Sequence, residues 1–219
     1  NFNLELAFDN VNLNQIIKQK NTFLSNGVFN SKFKIERTPK NNNLSCQLIS
    51  DKIYINYKNI GKLEFNIKGN TQINSYSINS KLFKDNNTVL ANGNLIFDIN
   101  QTKLDLDLLF NNFDISFLSP LGKKSISNIH GLLNGEVNIW GDILNLNNSG
   151  VLKLNNSGFS IPYLSTRYEI DNDTQINLSG KNLNILPTIL TDSLFKTKSS
   201  LRGSFSHTSF RNWNIDLIF

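Results

Sequence analysis

Few residues of this 219-residue chain are of types that do chemistry, and none stands at a spacing that would let it. Gly122-Lys123-Lys124-Ser125 resembles the end of a phosphate loop, in which backbone amides and a lysine hold phosphate oxygens. The glycine required five positions earlier is Phe117, so the amide cradle is missing and the run reads as a lysine turn. The two histidines, His130 and His207, have no cysteine or carboxylate cluster at metal-ligand spacing. No metal is expected, and both histidines are assigned to turns or polar strand faces. His207 has Ser204, Ser206 and Ser209 close by, but strand neighbours face opposite sides and no nucleophile elbow is present. Neither a catalytic residue nor a cofactor is expected; the chain reads as a non-enzyme. Cys46, the one cysteine, cannot close an intrachain bridge. In Leu44-Ser45-Cys46-Gln47-Leu48 it shares a face with Leu44 and Leu48 and reads as a buried small hydrophobe.

Gly131 and Gly135 form a G-x-x-x-G, a helix-pairing motif in membranes, but the segment around them alternates as a strand. There they share a face with Ile129, Leu133, Val137 and Ile139 and leave room that either a neighbouring strand or a ligand could fill.

The elements that would position these residues are strands. Alternation of apolar and polar residues marks 2–8, 28–35, 52–57, 63–67, 95–99, 104–110, 129–139, 159–161, 175–178, 201–205 and 213–219. Asn41-Asn42-Asn43, Asp85-Asn86-Asn87 and Asn147-Asn148-Ser149-Gly150 read as turns between them. Two short helices are expected at equivalent places. One is carried by Leu13, Ile16, Ile17 and Leu24 behind an Asn12 cap, the other by Ile115, Phe117 and Leu118 after Asp114, with Pro120 ending the run.

The strands repeat as a large unit. Asn1 to Phe8 (NFNLELAF), Lys103 to Phe110 (KLDLDLLF) and Asn212 to Phe219 (NWNIDLIF) all alternate and all end in Phe. The Gly27–Ile35 stretch matches Gly131–Ile139, and Ile53, Ile55 and Tyr57 match Phe159, Ile161 and Tyr163. Leu82-Phe83-Lys84 matches Leu194-Phe195-Lys196. The domains implied are a first β-repeat over 1–101, a second over 102–211, and the opening strand of a third over 212–219.

Apolar residues make up 39% of the chain, enough for a sheet with one apolar face and one wet face rather than for a thick two-sided core. The formal charge of +5 is spread over single lysines, so no nucleic-acid partner is expected. No run of 18 apolar residues is present. With neither a basic and apolar leader nor any Met, the chain is expected to be a segment of a longer protein.

Five elements in order carry a family resemblance: Phe117-Leu118-Ser119-Pro120; Asn128 to Gly141 (NIHGLLNGEVNIWG); Gly150-Val151-Leu152-Lys153-Leu154 with Ile161 to Tyr168 (IPYLSTRY); Asp192 and Leu201 to His207 (LRGSFSH); and Phe210-Arg211-Asn212-Trp213. Over roughly residues 100–219 the chain resembles the C-terminal region of the TamB family, and the first hundred residues resemble it through the internal repeat. The resemblance implies an AsmA-like, bridge-like lipid-transfer protein of the periplasm, anchored in the inner membrane of a Gram-negative bacterium. It implies membranes at both ends of the full-length protein and an outer-membrane barrel partner of the TamA or BamA type. The associated roles are phospholipid transport between the membranes and outer-membrane protein assembly. The fold implied is all-β: a long curled antiparallel sheet forming a taco-like open groove from large repeats, with one short helix per repeat.

The expected partners are phospholipid acyl chains, and the expected groove lining is the alternating apolar set. On the repeat-opening strands it comprises Phe2, Leu4, Leu6 and Phe8; Leu104, Leu106, Leu108 and Phe110; and Ile215, Leu217 and Phe219. Elsewhere it comprises Ile129, Leu133, Val137 and Ile139, then Leu152, Leu154, Phe159 and Ile161, then Ile176 and Leu178. The same alternation would arise in a closed core. A secreted or surface β-rich structural or adhesin domain with a closed core is accordingly one alternative; an outer-membrane barrel is another, although the aromatic girdles expected at both strand ends are not seen in the sequence.

Overall fold

Alternating stretches with short Asn-rich connections fold here as hairpin after hairpin. A computed structural model describes residues 2–13, 25–39, 42–98, 101–122, 125–208 and 211–218. The first six strands are β1 (Phe2–Asn12), β2 (Ser25–Arg37), β3 (Asn42–Ile55), β4 (Lys58–Asn70), β5 (Ser75–Lys84) and β6 (Asn87–Phe97). Then come β7 (Thr102–Asp114), β8 (Ser127–Asp142), β9 (Asn145–Ile161), β10 (Thr166–Ile170), β11 (Thr174–Gly180), β12 (Asn182–Asp192), β13 (Lys198–Thr208) and β14 (Arg211–Ile218). All fourteen belong to one sheet whose order follows the chain, except that β10 and β11 both lie between β9 and β12. Each pairing whose register is resolved is antiparallel, as direct hairpin connections require.

The chain forms two compact units, Asn1–Leu108 with Trp140–Ile143, and Leu109–Ile139 with Leu144–Phe219. The repeat boundary drawn at residue 101 precedes β7, whereas the units part inside β7.

Local chemistry decides where strands stop. Asn56 and Tyr57 connect β3 to β4 with φ of 48° and 66°, the two-residue geometry that matches strand twist. The strand expected over 52–57 therefore ends at Ile55, and Tyr57 is a turn residue. Asp85, at φ 53°, turns β5 into β6 as expected. Asn147-Asn148-Ser149-Gly150 is not a turn: all four lie inside β9, and the connection falls at residues 143–144. Asn42 and Asn43 likewise open β3, and Asn41 lies outside the described residues.

The described residues do not give each repeat its helix. In the second repeat the expected segment is a 3-10 helix, Ser116–Gly122, with Pro120 inside it rather than ending it. In so short a run the missing N–H of proline costs little and its fixed φ fits. Asp114 caps the turn, its carboxylate accepting from Ser116 N and Oγ at 2.8 and 2.9 Å. Of the first expected helix only Leu13 is described; Ile16, Ile17 and Leu24 lie outside the described residues.

Two details recur between the repeats. Asn10 (φ 57°) donates its backbone N–H to Asn30 Oδ1 at 2.9 Å, and Asn112 (φ 51°) does the same to Asn134 Oδ1 at 2.8 Å. Gly27 lies against Ser50 and Gly131 against Ser157, both serines almost fully buried. One matched segment diverges. Leu82 and Phe83 lie in β5, whereas Leu194 and Phe195 lie in the turn between β12 and β13.

Candidate functional site

Register determines which side chains share a face, because directly opposed residues of antiparallel strands point the same way. In the first unit one row runs Leu6, Phe33, Cys46, Ile67, Ile78 and Gly93 from β1 to β6. A Cβ on Gly93 would lie 2.7 Å from Leu106 Cα, which puts Leu106 next in that row. A parallel row runs Leu4, Ile35, Leu44, Gly69, Tyr76 and Leu95, and a third includes Phe8, Leu48, Phe65 and Ala91. The intervening rows are polar: Glu5, Lys34, Ser45, Lys68, Ser77 and Asn94 form one. Cys46 thus joins Leu44 and Leu48 on the apolar face, half-buried, and desolvation pushes its thiol pKa up.

The apolar face of this unit stays open to solvent. Phe2, Leu6 and Phe8 are 54%, 40% and 50% exposed, while Leu4, Leu104, Leu106 and Leu108 are half-buried. Among its described hydrophobic residues only Phe29, Ile53 and Tyr76 are buried.

The second unit carries the same kind of rows, with more of their residues buried. Leu152, Ile176, Ile185, Gly203 and Leu217 are successive partners, as are Gly150, Leu178, Leu183, Phe205 and Ile215. Val137, Leu152, Leu154 and Leu178 are buried; Phe110, Ile129, Leu133, Ile139, Phe159, Ile161, Ile176 and Leu217 are half-buried; Ile215 is exposed. Phe219 lies outside the described residues. The room expected at Gly131 and Gly135 is filled by the neighbouring strand. Added Cβ atoms would come 2.5 Å from Ser157 Cβ and 2.1 Å from the Val151 carbonyl oxygen.

His207 departs from the polar position expected of it. It is 4% exposed, on the apolar face one residue beyond the Ser206–Asn214 pair. Its ring packs on Trp213 with centroids 4.9 Å apart, and Asn148 Nδ2 lies 2.8 Å from its Nε2. Burial, with the Lys181 ammonium second, pushes its pKa below the ordinary value. The neutral ring is thereby favoured. His130 on β8 has its Nε2 3.1 Å from Glu169 Oε2, and Arg167 Nε donates to Glu169 Oε1 at 3.0 Å. No His, Cys, Asp or Glu group that could hold a metal ion occurs among the described residues, nor is any helix there long and apolar enough to cross a membrane.

Two groups escaped the sequence reading. Asn148 was hidden by its Asn-Asn-Ser-Gly context, which carries a turn signal. Tyr163, Leu164, Leu194 and Phe195, all exposed in turns of the second unit, fall outside any alternating stretch. No protein-family model, curated protein or solved structure matches the chain.

Proposed function

We propose that this chain shields lipid acyl chains on the apolar face of its sheet, as a periplasmic segment of a TamB-like protein. The observation that carries the reading is the set of registered apolar rows in the first unit, left half-exposed with polar rows behind them. A sheet with one apolar face must cover it, and contiguous exposed apolar surface marks an interaction site. An acyl chain is matched cargo. Carrying about 15 methylenes through water costs roughly 12 kcal/mol at ~0.8 per methylene, and a strand of about eight residues offers ~26 Å of apolar track.

On this reading the sheet curls into a taco-like groove around its cargo. The full-length protein is anchored in the inner membrane and hands phospholipid toward an outer-membrane barrel partner of the TamA or BamA type, supporting barrel-protein assembly. More residues of the second unit's rows are buried, so carriage falls mainly to the face of the first.

Native mass spectrometry of the chain purified in mild detergent is expected to show bound phospholipid. Leu106→Arg and Phe33→Arg, both at half-buried positions, are expected to remove it and to slow lipid transfer between vesicles while the far-ultraviolet circular dichroism stays that of a sheet. Wild-type-like lipid transfer by both folded variants would refute the assignment.

A further inference from the structure

Two turns of the second unit lie side by side. Pro162–Leu164 joins β9 to β10, and residues 193–197 join β12 to β13. The register pairs Thr166 with Ile161 and Tyr168 with Asp192, and Ser193 donates its N–H to the Arg167 carbonyl at 2.7 Å. Only the first residues of β10 separate them.

Both turns are built to hold apolar side chains out in water. Asp192, 3% exposed, accepts from the backbone N–H of Leu194 at 2.7 Å and of Phe195 at 3.0 Å. Lys196 N–H bonds the Asp192 carbonyl at 3.0 Å and Asp192 N–H the Thr197 carbonyl at 2.9 Å. On the other turn Ser165, in the left-handed conformation at φ 52°, closes onto the Pro162 carbonyl at 3.0 Å. The side chains presented are Tyr163 (92% exposed), Leu164 (55%), Leu194 (71%) and Phe195 (71%). Single exposed hydrophobics are ordinary; four on two adjacent, hydrogen-bonded turns form a patch.

The charge around the patch selects its partner. Lys196 and Lys198 are exposed immediately beyond the Leu194-Phe195 tip. The nearby carboxylates are drawn back, Asp192 into the turn and Glu169 onto His130 and Arg167. Apolar tips flanked by cations match an anionic bilayer surface, where aromatic and aliphatic groups enter the interface and ammonium groups meet headgroup phosphates. We infer that this end of the second unit docks on an anionic membrane by inserting Tyr163, Leu164, Leu194 and Phe195. The inference does not depend on the acyl-carriage reading.

The test uses the full chain and vesicles of phosphatidylglycerol with phosphatidylethanolamine, against vesicles of phosphatidylcholine alone. The chain is expected to float with the anionic vesicles, and the double variant Leu194→Ser/Phe195→Ser to lose roughly tenfold or more in partitioning. Lys196→Glu/Lys198→Glu is expected to weaken binding to anionic vesicles only. In a Trp140→Phe/Trp213→Phe background, Phe195→Trp is expected to give an indole whose emission shifts to the blue and is quenched by brominated acyl chains. Absence of flotation, wild-type partitioning of the serine variant, or an unquenched indole at position 195 would each overturn the inference.

Discussion

Asn148 and His207 meet on the apolar face of the second unit, Nδ2 2.8 Å from Nε2, with Asn148 wholly buried and His207 nearly so. An amide N–H donates, so Nε2 accepts and the ring proton sits on Nδ1 in the assigned arrangement. The Asn148 Oδ1 has no hydrogen-bond partner. This contact fastens β9 to β13 by one directional bond where the surrounding rows are held by packing.

The pair makes stability depend on pH. The folded pKa of His207 is depressed below its ordinary value of 6.5 by burial and by Lys181, so in the window between the two the unfolded chain binds more protons. Its contribution is fully present above 6.5 and is lost as pH falls from there through the folded value. Thermal unfolding is expected to be flat from about pH 8 to about pH 7 and to decline below about pH 6.5. His207→Leu is expected to reduce that decline. Equal pH profiles for the two proteins would refute the assignment.

Removing one partner should cost more than removing both. Asn148→Leu leaves the buried Nε2 without this donor and is expected to destabilise by about 1–3 kcal/mol in urea unfolding. Asn148→Leu/His207→Leu removes the buried imidazole from the apolar face as well, and is expected to be more stable than Asn148→Leu alone. A double variant less stable than the single one would show that the histidine contributes through other contacts.

The strands were legible where alternation was strict, as in Leu104, Leu106, Leu108 and Phe110, and the antiparallel meander followed from their spacing. Illegible were strands whose apolar alternation is diluted. Ser75–Lys84 carries serines at Ser75, Ser77 and Ser80, and Asn182–Asp192 contains Pro187, where the register with β13 shifts. The openness of the apolar face was also out of reach, since Leu6 and Leu152 occupy the same kind of alternating position. One is 40% exposed and the other 7%. Local pattern fixes which side a residue faces; what covers that side is set by the rest of the fold.

The recurring asparagine bridge gives a comparison within one molecule. Asn134→Ala removes the acceptor of a part-buried Asn112 N–H, and Asn30→Ala that of an exposed Asn10 N–H. Water can replace the acceptor only at the exposed site, so Asn134→Ala is expected to cost about 1 kcal/mol and Asn30→Ala a fraction of that. The two bridges share no residue, and the double variant should be additive within about 0.5 kcal/mol. Chemical denaturation of all three variants checks both statements.

Gly150 and Gly180 separate crowding from backbone strain. Both have positive φ, 142° and 64°. A Cβ on Gly150 would come 2.1 Å from the Glu136 carbonyl oxygen, whereas one on Gly180 would meet nothing within 4 Å. Gly180→Ala therefore carries only the left-handed penalty, about 1–2 kcal/mol. Gly150→Ala must also push β8 away from β9 and occupies a conformation open essentially to glycine alone, so its cost is expected to exceed about 3 kcal/mol. If both alanine variants unfold at the same denaturant concentration, the close approach of β8 and β9 at Gly150 is refuted.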